Sequence, residues 1–151
     1  MAGIENEVGR ALMRHAWGFD EGDWDLLASA YTEDATVDVV TDESMTFMPV
    51  PEPHAVGRDA VLRGYRGSYA SFVARGERPW HLITNILVDA HDDETAKVRS
   101  FNLFLRSAPD GVSVFGISRY HDDLVRVDGE WRIRARVNRI SYAHDDAHPD
   151  G

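Results

Sequence analysis

Residues 80–142 carry four long runs rich in β-branched and aromatic side chains, at 80–90, 95–107, 112–127 and 131–142. The turns between them are His91-Asp92-Asp93-Glu94, Pro109-Asp110-Gly111 and Asp128-Gly129-Glu130. Such runs favour extended backbone, and connections this short return the chain beside itself, so an antiparallel four-stranded meander is expected. The first half has a different period. Ile4, Val8, Leu12, Ala16 and Phe19 fall at the 3.6-residue spacing of a helix with one buried stripe, with His15 and Trp17 beside it. Gly18 weakens its last turn, Gly22 breaks it, and Asp23 can cap a second, short helix carrying Trp24, Leu27 and Tyr31. Residues 35–40 read as a strand, and the stretch to Pro53, with Met45, Phe47, Met48 and three prolines, as an apolar loop able to cover a pocket. A third helix starts at Gly57-Arg58-Asp59, runs through Val61, Leu62, Tyr65, Tyr69, Phe72 and Val73, and ends near Gly76. Helices first and a meander last give an α+β fold in which one curved, largely antiparallel sheet wraps around the helices. Residues 1–142 read as one domain and 143–151 as a loose acidic tail.

Composition narrows the partners. A chain of 151 residues buries roughly 70% of its unfolded surface, enough for a core with one pocket. Sixteen Lys and Arg stand against 26 Asp and Glu, and a net charge of -10 argues against nucleic acid and anionic membranes. No apolar run approaches the roughly 20 residues of a membrane span. The start lacks a secretory pattern and there are no cysteines, so a reducing cytoplasm is expected.

One carboxylate and one imidazole carry the candidate chemistry. Asp20 stands where the first helix ends, facing the negative end of its macrodipole, and both that field and any burial disfavour its charge. His81, in Pro79-Trp80-His81-Leu82, enters the first long strand. If the Asp20 carboxylate accepts the Nδ1 proton of His81, the tautomer is fixed and Nε2 is free to remove a proton from carbon. The plain alternative is a solvated helix terminus and a half-buried histidine. His15, one turn before Phe19, could supply a second polar group to the cavity or simply pack. With His81 facing inward, alternation sends Ile83 and Asn85 inward too. On the next strand, the charged Lys97 and Arg99 leave Ser100, Asn102 and Phe104 on the cavity side. Asn85 and Asn102 are candidates for binding a substrate carbonyl or hydroxyl, or for mending a bulge. Tyr120, two residues after Ser118 on the same face, could donate to an oxyanion or pack. The tripeptide His-Asp-Asp at His91, His121 and His144 places adjacent side chains on opposite strand faces or in turns, so no metal is expected. Arg132, Arg134 and Arg136 form a row on one strand face, read as a solvated or subunit-facing edge.

The segment Asp20 to Leu27, with its Asp-x-x-Asp-Trp-Asp-x-Leu pattern, Trp80-His81 opening a strand, and the turn Asp128-Gly129-Glu130-Trp131 occur in an order that resembles the SnoaL-like branch of the NTF2-like superfamily. Within it the pattern is similar to the scytalone dehydratases and hexachlorocyclohexane dehydrochlorinases. The resemblance implies a cone-shaped cavity closed by N-terminal helices on a strongly bent mixed sheet. It also implies a catalytic Asp20–His81 pair and a substrate-binding role for Ser118. The dehydratases have tyrosines where this chain has Phe19 and Val39. The dehydrochlorinases have a lysine and an arginine where it has His15 and Val127.

The favoured expectation is a cofactor-free lyase or isomerase, dehydratase-like, acting on an apolar cyclic small molecule by acid-base proton transfer. Phe19, Val39, Met45, Phe47, Phe72, Ile83, Leu87 and Phe104 would wall the cavity. A polyketide-type cyclase uses the same chemistry. The other classes left open are the non-catalytic small subunit of a ring-hydroxylating dioxygenase and a ligand-binding NTF2-like module. Relatives associate through the outer sheet face, so a homo-oligomer is expected.

Overall fold

A computed structural model describes residues 3–41 and 54–142. Along the chain these form α1 (Ile4–Glu21), α2 (Trp24–Ser29), β1 (Tyr31–Thr41), β2 (His54–Val56), α3 (Arg58–Ala74), β3 (Arg78–His91), β4 (Thr95–Ala108), β5 (Gly111–Val127) and β6 (Glu130–Tyr142). The last four strands are the expected antiparallel meander. β1 then joins its open edge in parallel to β6, and β2 caps β1, giving one mixed sheet in the order β2-β1-β6-β5-β4-β3. The three-residue β2 was not expected, and β1 begins at Tyr31, which the sequence reading placed on α2.

α1 buries Val8, Ala11, Leu12, His15, Ala16 and Phe19 and continues two residues past Phe19, so Asp20 lies in its last turn. The chain then reverses within two residues. Gly22 adopts φ 65°, and the Asp23 N–H donates to Gly18 O at 2.8 Å. The Asp23 carboxylate accepts from Leu26 N–H at 3.0 Å, capping α2. Gly18 is required here by close packing: a Cβ would lie 2.6 Å from the Leu27 nitrogen. These contacts fix the direction in which the end of α1 presents Asp20.

Two bulges overturn the strict alternation read from the sequence. On β3, three steps from Thr84 to Leu87 match two on β4, and the extra residue includes Asn85 at φ 54°. Ile83, Ile86 and Val88 consequently pack on the core, while Asn85 and Leu87 face solvent rather than the cavity. On β6, Arg134 is the extra residue between the pairs Leu124↔Ile133 and Asp123↔Ala135. Arg134 is exposed but Arg136 is buried, so Arg132, Arg134 and Arg136 do not form a solvated row.

The outer sheet face exposes Trp80, Leu82, Phe101 and Ile117, with Leu82, Leu103 and Ile117 in register across β3, β4 and β5. Among the described residues, no helix is long and apolar enough to cross a membrane.

Candidate active site

Between α3 and the concave face of the sheet lies a cavity of about 190 Å³. Its space follows from local sequence. Beside Val61, Tyr65 and Phe72, α3 contributes Gly64, Gly67, Ser68 and Ser71, small residues at helical spacing, and a Cβ on either glycine would meet nothing within 4 Å. Phe19, Val39, Phe72 and Phe104 supply apolar surface, as expected. Ile83 packs on the core beside it. Met45, Phe47 and Met48 lie outside the described residues.

His81 lines this cavity, and Asp20 holds it by two hydrogen bonds. One carboxylate oxygen is 2.6 Å from His81 Nδ1 and the other accepts the His81 backbone N–H at 2.7 Å. The two side chains are only 6% and 12% exposed, which limits competition by water for that contact. A carboxylate at Nδ1 can only accept, so the imidazole carries a proton on Nδ1. Phe19 meets the ring edge-on at 4.9 Å and Phe104 lies at 4.4 Å, so aromatic contacts restrict its rotation.

His15 does not reach the cavity wall. It is buried behind His81, with ring centres 5.2 Å apart, and its Nδ1 is 2.8 Å from the Tyr31 hydroxyl. Burial pushes its pKa well below the usual histidine value, and the charge of Arg136 acts in the same direction, so His15 is neutral.

The sequence reading missed the polar centre beside this pair. Arg136 forms two parallel hydrogen bonds to Asp122, at 2.7 and 2.8 Å, with both side chains fully buried. Burial opposes the Arg136 charge, but Asp122 and the neighbouring tyrosine hydroxyls outweigh it and its pKa is raised. The same guanidinium lies 3.7 Å from the Tyr120 ring centre and 3.4 Å from the Tyr31 hydroxyl, which in turn donates to Tyr65 at 3.1 Å. Burial pushes both Tyr31 and Tyr120 above the usual phenol range. Tyr65 and Tyr120 line the cavity.

Further polar groups come from the sheet. Asn102 pairs with Ser118 across β4 and β5, and Tyr120 with Asn138 across β5 and β6; all four line the cavity. The Oδ1 atoms of Asn102 and Asn138 are buried without a hydrogen-bond partner. An amide oxygen in that state suits a ligand hydroxyl. Asn85 takes no part, accepting instead from Thr84 at the bulge. The small α3 residues were missed too, though their Gly-x-x-Gly-Ser-x-x-Ser spacing is a signal that could have found them, whereas Asn138 and Arg136 face inward only because of the β6 bulge. Among the described residues no group of three or more His, Cys, Asp or Glu is placed to hold a metal ion.

Helices closing a bent mixed sheet over a cavity define an NTF2-like α+β cone. A model of the SnoaL-like domain matches residues 3–137, and the chain belongs to that family, in which isomerases, dehydratases and cyclases are found. No curated protein matches the chain. Among solved structures it is similar to a candidate scytalone dehydratase from Novosphingobium aromaticivorans DSM 12444, at 25% identity and TM-score 0.69, covering 90% of this chain and 83% of that one. An NTF2-like protein with a cystatin-like fold from the same species aligns at 21% identity and TM-score 0.70, covering 89% of this chain and 80% of that one. A protein from Catenulispora acidiphila in complex with S-DNPA aligns at 23% identity and TM-score 0.74, covering 93% and 95% of the two chains. The last two likenesses speak to the fold alone.

Proposed function

We propose that the protein is a cofactor-free lyase or isomerase acting on an apolar cyclic carbonyl compound by proton transfer through His81. The observation that carries this reading is the carboxylate of Asp20 holding Nδ1 and the backbone N–H of one cavity-lining histidine. In that arrangement Nε2 takes a proton from the carbon beside the substrate carbonyl, and Asp20 stabilises the imidazolium that forms. The imidazolium then protonates a leaving hydroxyl, giving water and a conjugated double bond, or a second carbon, giving isomerisation. Cyclisation of a polyketide-type chain starts from the same carbanion. The apolar walls favour a ring, and the unpartnered oxygens of Asn102 and Asn138 favour one that bears hydroxyls.

The test uses β-hydroxy cyclic ketones, following enone formation by absorbance and exchange of the acidic C–H with deuterated solvent by NMR. His81→Ala is expected to lower kcat/KM by about 10²–10⁴. Asp20→Asn is expected to cost a similar factor or less, with turnover surviving exhaustive chelation. A folded His81→Ala variant that exchanges and eliminates at the wild-type rate sinks the proposal.

A further inference from the structure

Removing a proton beside a carbonyl breaks a C–H bond and moves the electron pair onto the carbonyl oxygen. In a largely apolar cavity that oxygen needs a hydrogen-bond donor already in place. Neither member of the Asp20–His81 pair can serve, because His81 is the base and Asp20 is an acceptor. Asn102 and Asn138 present unpartnered Oδ1 acceptors; their Nδ2 groups and the Ser68, Ser71 and Ser118 hydroxyls can donate but are less acidic than a phenol and so weaker donors. The phenols lining the cavity are Tyr65 and Tyr120. Tyr120 lies with its ring face against the Arg136 guanidinium and its hydroxyl by Ser118.

Tyr65 is placed differently. Its oxygen accepts from the Tyr31 hydroxyl at 3.1 Å, and the Tyr31 oxygen is approached by Arg136 Nη1 at 3.4 Å and by His15 Nδ1 at 2.8 Å. With the Tyr31–Tyr65 bond directed this way, the remaining protons follow. Tyr31 gives its single proton to Tyr65, so it must accept from both neighbours, and the one N–H of neutral His15 sits on Nδ1. That leaves His15 Nε2 as a bare acceptor, which agrees with its lack of a partner. Every donor in the chain Arg136, Tyr31, Tyr65 then points the same way, and the Tyr65 proton is the one left for a ligand. Each bond polarises the next, so the buried positive charge of Arg136 strengthens Tyr65 as a donor. Tyr65 and His81 both pack edge-on against His15 and Phe19, which puts the two groups on one stretch of the wall.

We infer that Tyr65 is the oxyanion-binding residue of this cavity, donating its phenolic hydrogen bond to an enolate or phenolate oxygen, with Tyr31 and Arg136 as positioning residues behind it. This role rests on the proton-transfer reading for its use in catalysis, but the binding of an oxyanion can be tested without turnover.

The probe is 4-nitrophenol, whose absorbance reports its ionisation. Titrated with pH in the presence of saturating wild-type protein, it is expected to bind as phenolate at least about tenfold more tightly than as phenol, seen as a lowered pKa of the bound probe. Tyr65→Phe is expected to abolish that preference, Tyr31→Phe to reduce it, and His81→Ala to retain it. For any substrate found, Tyr65→Phe is expected to lower kcat by about 10²–10³ with a smaller effect on KM. Equal binding of phenol and phenolate by the wild-type protein, or no binding, overturns the inference whatever the variants do. A preference kept in Tyr65→Phe but lost in His81→Ala also overturns it, since an imidazolium would then be holding the anion. Failure of the base, seen as no deuterium exchange, leaves the phenolate preference untouched, so the two ideas fail separately.

Discussion

Asp122 and Arg136 are fully buried and joined by two hydrogen bonds of 2.7 and 2.8 Å. Taking both charges out of water costs several kcal/mol for each, and only their mutual attraction and saturated hydrogen bonding offset that cost. Removing one partner strands the other. Arg136→Met is therefore expected to lower unfolding stability by about 3–5 kcal/mol in urea titrations, and pairing it with Asp122→Leu to recover most of the loss. A single variant as stable as the wild type would show that water reaches the pair. At this scale the sequence was informative where a residue's role depends on its place at an element's end. Asp20 after an apolar helix and His81 at a strand entry are such positions, and the fold brings them into contact. It was uninformative for Arg136, which reads as solvated until the β6 bulge reverses its face; Asp122 keeps the alternation of Ser118 and Tyr120, and only its charge hid its place on the inner face.

Among the elements, the strands were legible nearly to their ends, because alternating β-branched runs and Asp-Gly turns are strong local signals. The bulges were not, since one extra residue leaves composition unchanged while inverting which side chains point inward. That is why Asn85 was expected in the cavity and Asn138 was not. β2 escaped because three residues have no period; it exists through pairing of His54–Val56 with Thr36 to Asp38 on β1. α3 carries a different lesson. Its glycines at 64 and 67 are helical interior positions, where glycine costs about 0.5–1 kcal/mol relative to alanine, and neither is needed for a tight contact. Gly64→Ala is thus expected to raise stability by about 0.5–1 kcal/mol, because the methyl enters open space. The same methyl narrows the cavity, so binding of 4-nitrophenol should weaken. A melting temperature that falls would mean the helix is strained at that point.

For the whole molecule, the polar cluster beneath the cavity contributes to the pH dependence of stability at both ends. His15 packs against Tyr31 from β1, Tyr65 from α3, His81 from β3 and Tyr120 from β5, with Arg136 from β6 acting on it electrostatically. Burial, then Arg136, then His81 lower its pKa, so the native state keeps it neutral at pH values where the unfolded chain, with a histidine value near 6.5, takes up a proton. Its contribution is complete above the unfolded value and is lost as the pH falls below it toward the folded value, at up to about 1.4 kcal/mol per pH unit for one proton. Tyr31 and Tyr120 act at the other edge. Their pKa values are raised by burial, so the stability they confer is present below the unfolded phenol value near 10 and is lost as the pH rises above it. The exposed carboxylates Glu7, Asp89 and Asp92 are held low by Trp131, Arg99 and the Glu94 N–H respectively, and they titrate only below the usual carboxylate range. Between pH 7 and 5 His15 is expected to contribute a loss of stability. Urea unfolding across that interval should show wild-type stability falling steadily, and His15→Asn, which keeps an N–H for Tyr31 but cannot be charged, should flatten the slope even if it lowers the plateau. Parallel slopes in the two proteins would place the titrating group elsewhere.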